Sequence, residues 1–260
     1  MNIDIFRSFY NKVEQRQNEL NRLNVFPIPD KDTGTNMERT LKIFNKESDD
    51  YMSELLYNSR GSSGSILSLF FMGYLSGNSL KESFINGYNS VLENMDDIQD
   101  GTMISLMKLC SEIEYQNDFQ YVDDCENRCI FDWLDGPNRL KILKKYHTYD
   151  SGGLGFLYFL DSLNQSYNNI SYMDNLDSIV KDIEVSTIEE DYPRYCLEFM
   201  IDNTISKDTL ENYGNEIICV SQNGMNRIHI HTDIPDSVLE FARTLGNVSS
   251  IKIDDNKSQI

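Results

Sequence analysis

Apolar residues recur at helical spacing through the first 165 residues. Phe6, Phe9, Tyr10, Val13, Leu20 and Leu23 open the pattern, and Met37, Leu41 and Phe44 continue it. Further stripes follow at Ile66, Leu69, Phe70 and Leu75, then at Leu80, Phe84, Tyr88, Val91 and Leu92. Met103, Leu106, Leu109 and Ile113 come next, then Phe119, Val122, Ile130 and Trp133, and finally Leu154, Leu157 and Leu160. This period of three to four predicts roughly eight short helices in a bundle or barrel. Glycine-bearing loops punctuate it at Gly34, Gly61 and Gly64, Gly101, and Gly152, Gly153 and Gly155.

Over 166–191 the pattern fades into Asn, Ser, Asp and Glu, which predicts a linker. Beyond 192 the period changes to alternation. Segments 195–200 and 216–220 read as strands, Gln222-Asn223-Gly224 carries an Asn-Gly hairpin turn, and 227–231 returns as the next strand. A helix is expected over 206–213. Another covers 235–245, with Pro235 in its first turn and Gly246 as its stop, and a last strand spans 248–253. The order β-α-β-β-α-β is that of a ferredoxin-like split unit. The expected fold is thus multi-domain, α and α+β: a helical domain over 1–165, a linker over 166–191 and a small α+β domain over 192–260. A chain of 260 residues has enough apolar surface for one large core or two modest ones, so the division is feasible.

Charge narrows the partners. Lys and Arg total 23 against 42 Asp and Glu, a formal net charge of -19 with no basic stripe, which excludes nucleic acid as a partner. No apolar run reaches bilayer length, so no transmembrane segment is expected, and the first residues carry no basic-then-apolar leader. Five scattered cysteines, an odd number, do not make a disulfide framework. A cytoplasmic location follows. An acidic chain that takes a phosphorylated ligand must offset phosphate charge locally, with metal ions or backbone N–H groups.

Segment 24–36, Asn24-Val25-Phe26-Pro27-Ile28-Pro29-Asp30-Lys31-Asp32-Thr33-Gly34-Thr35-Asn36, carries the richest chemistry. Its prolines hold the approach extended, and Asp30 and Asp32 sit close enough in sequence to face one cation or a pair of them. Thr33, Thr35 and Asn36 add neutral oxygens, and Gly34 permits close backbone approach to a phosphate. The plainer alternative is an Asp-rich turn that caps the next helix. Arg60-Gly61-Ser62-Ser63-Gly64-Ser65 opens an apolar helix and is either a phosphate cradle or a Ser-capped start. Asp150-Ser151-Gly152-Gly153 repeats the theme, with Asp150 a cap or a nucleotide contact, and Gly101-Thr102 is a weaker echo. The P-loop pattern and the protein-kinase motif set are both absent from the sequence. In the second domain, alternation puts His229 and His231 on one strand face. Cys196 could complete a Cys-His-His zinc site, against the alternative of two surface histidines on an edge strand. Cys125 and Cys129 compete as a metal pair but read better as core, like Cys110 and Cys219.

These segments together resemble the L-type nucleotide domain shared by dihydroxyacetone kinases and bacterial fatty acid kinase, above all the A component of fatty acid kinase. Its N-V-F-P-V-P-D-G-D-T-G-T-N-M is similar to 24–37, its R-G-N-S-G-x-I-L-S to 60–68 and its D-A-G-G-x-G to 150–155. Its middle domain, with Y-C-x-E-F ahead of H-x-H-T, looks like 195–199 and 229–232. The resemblance implies an all-helical barrel that holds ATP and two Mg²⁺ ions at one end. It gives Mg²⁺ ligation and the catalytic role to Asp30 and Asp32, with Asn24 as a third ligand. It places phosphate and nucleotide contacts at Thr33, Gly34, Thr35, Asn36, Ser63, Gly64, Thr102, Asp150, Gly152 and Gly153, and Zn²⁺ on Cys196, His229 and His231. Two positions depart from the pattern: Lys31 stands where the family has Gly, and Ser62 where it has Asn. Lys31 either neutralises a phosphate or crowds the metal loop. The implied activity is ATP-dependent phosphorylation of a fatty acid carboxylate presented by a separate lipid-binding protein. One alternative is the nucleotide-binding component of a glycerone kinase; another is a catalytically weak regulatory homologue. The family also implies a homodimer joined through the second domain and, in larger members, a third domain that this chain is expected to lack.

Overall fold

The structure, a computed structural model, describes residues 2–95, 98–186 and 193–256. Helices α1 (Ile3–Gln15), α2 (Gln17–Leu23), α3 (Thr33–Leu41), α4 (Tyr51–Asn58), α5 (Gly61–Tyr74) and α6 (Leu80–Asn94) build the first half of the helical domain. They are followed by α7 (Met103–Glu112), α8 (Asp118–Arg139), α9 (Lys141–Lys145), α10 (Ser151–Asn168) and α11 (Met173–Lys181). Helix α10 is the axis of this domain. Apolar on nearly every face, it buries an unbroken run from Gly153 to Asn164, as a helix must when neighbours surround it. Phe156 and Phe159 on α10 meet Phe6, Phe70, Phe71 and Phe84 in tilted or edge-to-face contacts at centroid distances of 5.0 to 6.3 Å.

Two expectations need correction. There are more helices among the described residues than the roughly eight read from the periodicity, because α2, α4 and α9 are too short to display a repeating stripe. The supposed linker over 166–191 is largely helical: α10 runs through Asn168, and α11 follows. Met173, Leu176 and Val180 of α11 sit in the helical core, but each is a lone apolar residue in a polar turn, so average composition concealed them. Arg16 clamps Asp177 with two contacts of 2.6 Å, and Arg22 donates to the carbonyls of Val180 and Ile183, which ties this helix down. Residues 187–191 of the proposed linker lie outside the described residues.

The second domain contains strands β1 (Tyr195–Ile201), β2 (Asn215–Gln222), β3 (Met225–Thr232) and β4 (Val248–Asp255), with α12 (Pro235–Leu245) between the last two. All pairings are antiparallel and the order is β2-β3-β1-β4. Asn223 and Gly224 both have positive φ, as a tight two-residue hairpin turn requires. The helix expected over 206–213 is instead a pair of 3-10 turns, Lys207–Thr209 and Glu211–Tyr213. Leu210 alone is fully buried there, and so little apolar surface cannot anchor an α-helix.

Strand parity gives this sheet two buried faces. Leu197, Phe199, Ile201, Ile228 and Ile230 pack with Val238, Leu239 and Ala242 of α12. Met200, Ile218 and Val220 point the other way and join the core of the helical domain. Cys196, Glu198, Arg227, His229 and His231 share the parity of that second face, so a row of polar side chains is pressed toward the helices. No helix among the described residues is long and apolar enough to cross a membrane.

Gly34 sets the distance between α2 and α3. A Cβ there would lie 2.3 Å from the Gln17 carbonyl oxygen and 2.9 Å from Leu20 Cβ. Gly34→Ala is therefore expected to destabilise the chain by about 1–3 kcal/mol through forced separation of the two helices. A urea titration checks this, and an unchanged midpoint would contradict the packing described here.

Candidate functional site

Asn24, the residue after α2, organises the loop that carries the acidic pair. Its amide oxygen accepts from the N–H groups of Asp32 and Thr33 at 3.2 and 3.1 Å and from the Thr33 hydroxyl at 2.9 Å. Its amide nitrogen donates to the Ile28 carbonyl at 2.8 Å. With three donors on one oxygen, Asn24 is a scaffold of the loop, not the third metal ligand the resemblance implied. Asp32 occupies the N-cap position of α3 but makes no side-chain cap bond. The capping-turn alternative thus fails: Asn24 supplies the cap and releases the Asp32 carboxylate from that task.

Asp30 and Asp32 face each other. Burial, then the neighbouring charge of Asp32, holds the Asp30 carboxyl well above the ordinary carboxylate range. Among the described residues no basic side chain forms a salt bridge with either. Lys31 between them has φ 57° and an exposed side chain outside the cleft described below, so it neither neutralises a cleft ligand nor crowds the acids.

The other glycine-bearing segments converge on the same place. Gly61 begins α5 with φ +58°, and a Cβ on it would stand 2.1 Å from Asn36 Nδ2, so only glycine lets this turn close on α3. Asp150 Oδ2 accepts from Gly153 N at 2.6 Å and from Met103 N at 2.7 Å. It therefore caps both α10 and α7, and burial raises its carboxyl to about 6. The sheet supplies the facing wall. His229 Nε2 lies 3.1 Å from His231 Nε2 and 3.0 Å from Ser62 Oγ, and Cys196 Sγ lies 3.6 Å from His229 Nδ1.

One cleft, about 740 Å³ and open to solvent, joins the acidic loop to the Cys/His cluster. Asn24, Asp30, Asp32, Thr33, Asn36, Ser63, Thr102, Asp150, Gly152, Cys196, His229 and His231 all line it. Four anticipated nucleotide contacts do not. Thr35 turns to the far side of α3, where its hydroxyl accepts from Gln17 and Asn21 at 2.9 and 3.0 Å. Gly34 faces α2, Gly64 lies against Thr40, and Gly153 packs beside Trp133 with its N–H on Asp150. Each loop becomes a helix at this point, and the turn of 100° per residue carries alternate positions away from the cleft. The cleft also has an apolar part (Phe26, Ile66, Met95, Met103 and Ile104) that sequence reasoning did not assign. Glu198 and Arg227 were missed too, although parity with Cys196 and His229 marks them as sharing one face.

The cluster's donors suit a borderline-soft cation. Cys196, His229 and His231 are buried, with one ligand atom from each within 4.8 Å of the others. Burial, then His229, keeps the His231 imidazole well below its usual range, hence neutral, and its buried Nδ1 has no hydrogen-bond partner. Burial, then the carboxylates of Glu198, Asp32 and Asp30, pushes the Cys196 thiol well up, a cost that a bound cation would reverse. These residues fit Zn²⁺. The edge-strand alternative does not hold, since β3 lies between β2 and β1. Cys110, Cys125 and Cys129 are core residues of α7 and α8, with 3.4 Å between the Cys110 and Cys129 sulfurs.

Two measurements probe this geometry. With a folded-state pKa above the ordinary carboxylate value, ionised Asp150 costs stability; the cost is absent at acid pH and grows as pH rises through about 6. Asp150→Asn keeps a capping oxygen, so without ligands its stability should rise relative to the parent between pH 4 and pH 7, by up to about 3 kcal/mol. Thermal melts across that range decide it, and a constant gap would refute the assignment. Lys31→Gly should raise stability by no more than about 1 kcal/mol while leaving ligand affinity within about twofold, which melting and calorimetry would check.

Comparison with known proteins adds the lineage. Residues 192–260 match the FakA-like middle-domain family, named for the A component of fatty acid kinase. An uncharacterised protein of Mycoplasma genitalium is 26% identical over 317 residues, which cover 99% of this chain and 56% of its own length. Uncharacterised proteins of Staphylococcus haemolyticus and Staphylococcus epidermidis are 25% and 26% identical, each over 91% of this chain and 51% of theirs. The chain thus spans about half the length of the curated relatives it matches. By the match over 192–260, its second domain is a FakA-like middle domain, and the chain belongs to the fatty acid kinase A-like family.

Proposed function

We propose that this chain is an ATP-dependent kinase component whose cleft holds the triphosphate through Mg²⁺ ions on Asp30 and Asp32. The observation that carries the reading is the acidic pair itself: buried, mutually repelling, released from capping by Asn24, and directed into a cleft large enough for a nucleotide. Thr33, Asn36 and Ser63 lie beside it to meet phosphate oxygens, and Met95, Met103 and Ile104 offer an apolar seat for a base. Bound Mg²⁺ would spread the negative charge of the triphosphate and align its terminal phosphoryl group. The chain's own task is to keep both carboxylates ionised toward the cation and to hold the starts of α3, α5, α7 and α10 around one point. Helices ringed about α10 suit an L-type nucleotide barrel, and the strand order suits a ferredoxin-like split unit with its first crossover reduced to 3-10 turns.

The family match supports a fatty acid carboxylate as acceptor, presented by a separate lipid-binding protein. A carboxylate oxygen would attack the terminal phosphorus as its bond to ADP breaks, giving an acyl phosphate and ADP. Zn²⁺ on Cys196, His229 and His231 would then stand at the wall facing the acidic pair. The regulatory alternative leans partly on Lys31, which lies outside the cleft.

Calorimetry with ATP and Mg²⁺ tests the reading. Replacing Asp30 and Asp32 together by Asn should weaken Mg²⁺-dependent ATP binding tenfold or more, about 1.4 kcal/mol. The same change should raise the melting temperature of the ligand-free chain, because the repulsion is gone. Unaltered ATP affinity in the better-melting variant would overturn the proposal.

A further inference from the structure

Glu198 links the two walls of the cleft. It is 1% exposed and sits between Cys196 and Met200 on the β1 face that meets the helices. Its Oε1 accepts the Gly61 N–H at 2.5 Å and lies 3.9 Å from His229 Nδ1, while its Oε2 takes Arg227 Nη2 at 2.5 Å. The next residue along, Ser62, places its hydroxyl 3.0 Å from His229 Nε2. Consecutive residues at the start of α5 are therefore tied to opposite edges of one imidazole, Gly61 through Glu198 and Ser62 directly.

We propose that Glu198 and Ser62 couple the Cys196/His229/His231 cluster to the first turn of α5, so that a Zn²⁺ ion in the cluster reshapes residues 60–63 and with them the affinity of the cleft for a triphosphate. The two Nε2 atoms stand 3.1 Å apart and face each other, so a cation held by both takes both lone pairs. The Ser62 hydroxyl then has no acceptor on His229 and must turn elsewhere. The ring proton of His229 is confined to Nδ1, on the side of Cys196 and Glu198, where a carboxylate orients a metal-bound imidazole. Glu198 holds the Gly61 N–H with the same oxygen, so tightening one contact is felt by the other. Gly61, Ser62 and Ser63 line the cleft, and the signal ends where the triphosphate would sit. Glu198 and Ser62 are positioning residues here. The part of the statement that concerns triphosphate rests on the function proposed above; the part that concerns residues 60–63 does not.

Two readouts on the full chain test it, with Zn²⁺ as the probe. The first is hydrogen exchange over 60–66 with and without Zn²⁺, in the absence of nucleotide. The second is ATP–Mg²⁺ affinity with and without Zn²⁺. In the parent, Zn²⁺ should alter exchange in this segment and shift ATP affinity about fivefold or more in either direction. Glu198→Gln and Ser62→Ala should still take Zn²⁺, measured by competition with a chelating dye. In both variants the exchange response should shrink and the affinity shift fall to within about twofold of unity. Ser62→Ala removes only a hydroxyl and serves if Glu198→Gln, which leaves Arg227 without its anion, fails to fold. Equal Zn²⁺ responses in the parent and both variants would overturn the proposal, as would a parent that binds Zn²⁺ with no change at 60–66. If Zn²⁺ changes exchange while ATP never binds, the nucleotide reading fails and the link through Glu198 and Ser62 stands.

Discussion

Carboxylates two positions apart in a buried loop repel one another, and a fold tolerates this only if something positive completes the site or one of them keeps a proton. Asp30 and Asp32 are held in that state, and the surroundings deepen it. Asp150 lines the same cleft, Glu198 stands behind the opposite wall, and the joint field of Glu198, Asp32 and Asp30 reaches the Cys196 thiol. Arg227 answers Glu198 at 2.5 Å, and among the described residues no comparable partner answers the acidic pair. The cleft is thus built to be completed by cations, and an anionic ligand enters through them. For a chain with a net charge of -19, that is the available route to a triphosphate.

The rest of the loop keeps this arrangement intact. Were Asp32 to cap α3, its carboxylate would be committed to backbone N–H groups and lost to a cation. Asn24 takes over the capping with a neutral amide, and gives up its own availability as a ligand. Asp150 shows the opposite choice. It gives one oxygen to two helix starts, and burial holds it near neutrality, so it joins α7 to α10 while still bordering the cleft. Similar sequence segments, each an acid or amide beside small residues, therefore divide into scaffold and site according to which helix they begin.

The second domain is a wall of the site. A sheet with one solvated face could sit anywhere, whereas this sheet buries apolar side chains on both faces and adds Met200, Ile218 and Val220 to the core of its neighbour. That attachment carries Cys196, His229 and His231 to the cleft and leaves Glu198 in contact with Gly61. The match of 192–260 to a fatty acid kinase A-like middle domain thus bears on the cleft as well as on the domain.

Much of this was legible in the residues alone. Helical period, the change to alternation after 192 and the Asn-Gly turn depend on local backbone geometry, which neighbouring residues dictate. The pairing of His229 with His231 followed from a repeat of two, and the acidic loop from composition and spacing. Tertiary contacts decided the remainder. Helix α11 owes its place to lone apolar residues inserted in a distant core, and Leu210 could not secure an α-helix against the sheet. Thr35, Gly34, Gly64 and Gly153 belong to the right motifs but are turned away by helix rotation, which is set only once α2, α3, α5 and α10 pack. That Asn24 caps while Asp32 does not, and that a strand glutamate bonds to Gly61, rests on contacts across 8 to 137 residues of chain. Local pattern specifies elements and candidate chemistry; which side chains meet in one cavity is a property of how the elements are stacked.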